Sequence, residues 1–133
     1  MKRLKQMMGM SVCLILACSS PKKDYLPAEN GLDAGREYID ACLKGDFSKA
    51  AFYMIPDASN KVILDSIEAA YREKDKEGRQ ELRLASINIK EVVEPNDSTV
   101  VIIHSNSLDT VSVKTIIVKR NNNWLVDVKQ SNK

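Results

Sequence analysis

The sequence predicts an α+β domain in which three N-terminal helices pack on a curved four-stranded antiparallel sheet. Three observations lead there. Apolar residues recur with helical spacing from Leu32 to Tyr71. After Leu82 the spacing changes to alternation, the period of a strand. The links between the later segments are short, which favours an antiparallel meander over parallel crossovers.

The chain opens with a segment that does not belong to this domain. Met1-Lys2-Arg3-Leu4-Lys5 is basic and free of acid, and Met7 to Leu16 is apolar apart from Gly9 and Ser11. Ten helical residues rise roughly 15 Å, about half a bilayer core, so this reads as an export signal and not as a span. It ends in Ile15-Leu16-Ala17-Cys18. That order resembles the lipobox of bacterial lipoproteins. The resemblance implies that residues 1–17 are removed and that Cys18 is acylated and becomes the N-terminus. Two or three acyl chains anchor stably where one does not. Ile15 stands where leucine is commoner. Ser19 follows the cysteine in place of the aspartate that retains some lipoproteins in the inner membrane, so a cell-envelope location at the outer membrane is expected.

Removal of residues 1–17 takes Lys2, Arg3 and Lys5 and no acid, leaving 17 basic residues against 18 acidic, a net charge of −1. A near-neutral domain lacks the clustered basic face that nucleic acid requires. Of the three cysteines, Cys13 leaves with the signal and Cys18 is acylated. Cys42 alone remains as a thiol, so no internal disulfide is available and the domain must rest on its core. Residues 18–30 carry Pro21, Pro27 and several polar groups without periodicity, and read as a flexible tether.

The domain is expected over residues 31–129, with 130–133 as a tail. In the first helix, Leu32 to Lys44, Gly35, Tyr38, Ile39, Cys42 and Leu43 fall on one face. Asp33 is its expected N-cap and Gly45 its stop. Asp46 caps a shorter helix through Phe47, Ala50, Ala51 and Met54, and Pro56 marks a turn. Ser59 or Asn60 starts a third helix with Val62, Ile63, Ser66, Ile67, Ala70 and Tyr71 along one side; its charged tail, Arg72 to Glu77, is expected to fray before Gly78. Four strands follow: Arg83 to Val93, Thr99 to His104, Thr110 to Val118, and a last one in which Trp124, Val126 and Val128 alternate with Leu125, Asp127 and Lys129. Pro95-Asn96-Asp97, Asn106 to Asp109 and Asn121-Asn122 supply the turns.

Gly45-Asp46-Phe47-Ser48-Lys49-Ala50 after an amphipathic helix, with a meander closing on Asn123-Trp124-Leu125-Val126-Asp127, resembles the nuclear-transport-factor-2-like superfamily. Its small lumazine-binding-like lipoproteins of unknown function are the most similar branch. That resemblance implies a strongly bent sheet forming a cystatin-like cone, often with a pocket. Ketosteroid-isomerase-like enzymes and polyketide cyclases share the fold with domains of no known chemistry. Fold alone therefore does not give function.

The candidate acid–base residues are His104, the sole histidine, Asp127 between two valines, and Tyr38 on the first helix. Alternation puts His104 on the face of Val100 and Ile102, and turns Asp127 and Lys129 to water. Tyr53 and Tyr71 are further hydroxyl donors. Cys42 reads as a small buried hydrophobe. No His, Cys or carboxylate group has metal-ligand spacing, and no glycine-rich phosphate loop or G-x-S-x-G elbow is present, so neither metal nor cofactor is expected. Val100 to Ile103 and Ile116 to Val118 are apolar on both faces, which makes a homodimer through the sheet an expectation. The reading favoured by these features is a lipid-anchored, non-catalytic module that binds a protein or small molecule. A small acid–base enzyme and a self-associating structural protein are the alternatives.

Overall fold

The computed structural model describes residues 24–133. The signal segment, Cys18 and Lys22-Lys23 lie outside the described residues. The elements run α1 (Gly31–Lys44), α2 (Phe47–Phe52), α3 (Ala58–Glu73), α4 (Lys76–Leu84), β1 (Ile87–Asn96), β2 (Thr99–Asn106), β3 (Val113–Arg120), β4 (Asn123–Val126) and α5 (Val128–Ser131). The α+β order holds, with five helices among the described residues instead of three.

The helix ends follow capping chemistry. Asn30, not Asp33, caps α1 by accepting from the Asp33 backbone N–H. Gly45 ends it at φ 73, the left-handed geometry that glycine adopts without steric cost. Asp46 caps α2, and Asp57 caps α3 by accepting from Asn60 N–H at 2.7 Å. Asp75 does the same for α4 through Gly78 N–H, so the chain that sequence reading left frayed is helical again after a two-residue break.

The strands pair antiparallel in the order β1-β2-β3-β4, with positive φ at Asn121 and Asn122 closing the last hairpin. The cystatin-like cone is not formed: the sheet is neither closed nor strongly curled. Strong curvature needs bulges in the central strands. Here β2 and β3 pair from Thr99–Val118 to His104–Val113 without a shift, and the irregularities fall only where β1 meets β2. The final strand is also short, because the chain turns at Asp127 into α5. β1 stays an open edge, exposed at nine of its ten residues, while β4 is met on its outer side by Tyr53 and Ile55, which bond to Val126.

α1 lies along one sheet face, where a close approach is set by Gly35: a Cβ there sits 2.5 Å from Ile102 Cδ1 and 2.9 Å from Ile117 Cδ1. The core joins Ala34, Tyr38, Ile39 and Ala41 of α1 to Val100, Ile102, Ile117 and Val126 of the sheet, with Ala50, Tyr53, Met54 and Leu64 closing the side. The segment 24–30 lies along the domain, with Ala28 packed against this core.

Candidate functional site: an apolar cleft with a polar floor

α1 and α3 diverge from the sheet beyond the core, and α4 flanks the gap. α1 contributes Tyr38, Ile39, Cys42 and Leu43; α3 contributes Ser66, Ile67, Ala70 and Tyr71; Leu82, His104, Asn106 and Thr115 complete the wall, with Lys74 at the edge. The cleft holds about 450 Å³, within the size range of small-molecule sites. Among the described residues no carboxylate lines it.

Its buried polar side chains are Tyr38, His104 and Thr115, with the Cys42 thiol beside Tyr38. The His104 side chain is inward, as alternation predicts, and 7% exposed. Its Nε2 is 2.8 Å from Thr115 Oγ1 on the neighbouring strand. Burial pushes the imidazole below its ordinary pKa, so the ring is neutral at pH 7. Tyr38 is 6% exposed, and its buried hydroxyl has no nitrogen or oxygen partner among the described residues, only the weakly bonding Cys42 thiol beside it. Burial first, and then the adjacent Cys42 thiol, raise the Tyr38 phenol far above its usual range, so it keeps its proton. Burial also pushes the half-buried Cys42 thiol up to about 11, against a smaller opposite pull from Tyr38. A thiol so raised is not a nucleophile at neutral pH.

The structure thus brings Tyr38 and His104 to one cleft and leaves Asp127 out of it. Asp127 does not face water, because the strand ends one residue earlier and the side chain is carried inward at 4% exposure. There Asn60 Nδ2, itself fully buried, donates to Asp127 Oδ1 at 3.4 Å, while Asn60 Oδ1 accepts from Lys129 N–H at 2.8 Å. This is a clamp between α3 and the C-terminal segment. Tyr71 lines the cleft and accepts from Arg83 Nη1 at 3.0 Å; Tyr53 donates to the Leu26 carbonyl instead. Thr115 was missed by sequence reading. Its signal was a lone hydroxyl alternating with Ile117 on the inward face.

A second hollow, about 470 Å³, lies across α3 and is lined by Asp57, Lys61, Asp65 and Glu68 beside Met54 and Leu64. Its charges are internally paired: Asp57 with Lys129, Lys61 with Asp65, and Glu68 with Arg72. No charged side chain named in it is left unpaired. Among the described residues no group of His, Cys, Asp and Glu is placed to hold a metal, and no helix is long and apolar enough to cross a membrane. No family model matches the chain, and no curated protein matches it.

Proposed function

We propose that this chain is a lipid-anchored protein of the bacterial envelope whose domain binds an apolar small molecule in the cleft between α1, α3, α4 and the sheet, without chemistry on it. The order of charge, apolar run and Ala17-Cys18 supports the anchor. The observation that carries the binding reading is the Tyr38 hydroxyl, a buried donor in the wall of an apolar cleft that meets only the weakly bonding Cys42 thiol among the described residues. Leaving such a group unsatisfied costs about 1–3 kcal/mol, which a ligand acceptor recovers. The absence of a carboxylate beside His104 and the firmly held Tyr38 proton both weigh against acid–base turnover.

The core lies wholly within residues 28–128, so residues 19–133 carry the folded domain. Anilinonaphthalene sulfonate, an apolar fluorophore, serves as the probe on that chain. Ala70→Trp at the exposed edge of the cleft should weaken its binding by about tenfold, roughly 1.4 kcal/mol, with the far-UV circular dichroism unchanged. Equal binding by both proteins would place the probe elsewhere and remove the cleft from the account.

A further inference from the structure

The chain enters the domain along a fixed path. Tyr25 donates to Asp46 Oδ1 at 3.3 Å, and Tyr53 donates to the Leu26 carbonyl at 2.7 Å. The Tyr25 ring packs on Phe52 with centroids 5.5 Å apart, and Phe52 packs on Tyr53 at 4.9 Å. The entry segment is therefore held to α2. Its side chains are not all covered, since Leu26 is 81% exposed and Phe52 40% exposed. Beside them a shallow hollow of about 170 Å³ opens between Pro27, Phe52, Trp124 and Leu125. The exposed hairpin residues Lys119 and Arg120 flank it, with Lys119 Nζ 5.7 Å from the centre of the Trp124 ring. Asp24 and Glu29 are the exposed acids of the same segment.

Asp24 lies six residues after Cys18. Fully extended, these six steps span about 20 Å. A domain of this size has a radius of gyration of about 13 Å and a larger overall diameter, so such a leash does not let it turn freely away from its anchor. The face where the chain enters is the face held toward the lipid. That face carries an exposed leucine, an exposed phenylalanine and an indole with neighbouring cations, the side chains that favour the zone between headgroups and acyl chains.

We propose that the face formed by Leu26, Phe52 and Trp124 rests on the lipid bilayer to which the chain is tied, with Leu26 and Phe52 entering the headgroup–acyl boundary. This rests on the acylation of Cys18 proposed above. It adds a second contact that sets the orientation of the domain, which the anchor alone does not do.

Trp124 is the sole tryptophan and reports directly on this face. The acylated chain, purified from its own membranes, is reconstituted into phosphatidylcholine vesicles with plain or brominated acyl chains, and flotation is scored first. The expected result is a chain that floats and whose fluorescence falls by about half or more on brominated lipid, as for an interfacial indole. The double variant Leu26→Ser, Phe52→Ser should still float and lose most of that quenching. A floating chain with undiminished fluorescence overturns the lipid contact and leaves the anchor standing. Shielding of Trp124 from aqueous acrylamide that grows with the protein-to-lipid ratio, without bromine quenching, overturns it in favour of a second copy on the same face. A chain that does not float removes the anchor, and this proposal falls with it.

Discussion

Tyr38 and Asn60 are both buried polar side chains, and they differ in what they hold. Asn60 bonds to Asp127 and to the Lys129 backbone, whereas the Tyr38 hydroxyl has only the weakly bonding Cys42 thiol beside it among the described residues. Tyr38→Phe therefore removes a poorly met polar group from the unliganded protein and should raise its stability by about 1 kcal/mol in urea unfolding. A loss of stability would show that the hydroxyl is already satisfied. His104 gives a second test. Its folded pKa is depressed, so the folded state binds fewer protons than the unfolded state below about pH 6.5. Stability should be full above that pH and fall as pH drops from 7 toward 5.5, with a slope of at most about 1.4 kcal/mol per unit. His104→Asn should flatten the profile, and a flat wild-type profile would contradict the burial argument. The inward position of His104 was legible in the sequence, because its neighbours Val100 and Ile102 alternate with it on an unbroken strand. The inward turn of Asp127 was not, because its partner Asn60 lies 67 residues away and the strand that should have turned it outward stops short.

At the scale of single elements, caps and turns were the most readable features. Gly45, Asp46 and the Asn121-Asn122 hairpin sit where their chemistry places them. α4 escaped notice because Leu82 and Leu84 are its only apolar residues and none of its residues is buried; the available signal was Asp75 as an N-cap. α5 is four residues long, too short for any period, and Val126 and Val128 imitate a continuing strand. The packing of α1 makes its own prediction. Alanine at Gly35 gains about 1 kcal/mol in helix propensity, but its methyl meets Ile102 and Ile117, which are fully buried in the core and must shift to admit it. Overpacking of this kind costs about 1–3 kcal/mol. Gly35→Ala should lower the unfolding midpoint in urea, and a neutral or stabilised variant would mean that α1 stands further from the sheet.

For the molecule as a whole, the class and the helix-then-strand order were legible from the change of period near Leu82, while the curvature of the sheet was not. Curvature depends on bulges, and alternating β-branched residues look alike in a flat strand and a bent one. The open sheet changes where a ligand can sit: not inside a cone, but in the cleft that α1, α3 and α4 leave beside His104 and Thr115. Occupancy of that cleft is the central claim. Its most direct test is native mass spectrometry of the protein taken from its own membranes, compared with the Ala70→Trp variant prepared identically. The account predicts a non-covalent small-molecule adduct on the wild-type chain, lost on denaturation and strongly reduced in the variant. A wild-type chain that carries no adduct, or an adduct equally abundant on both proteins, would contradict it.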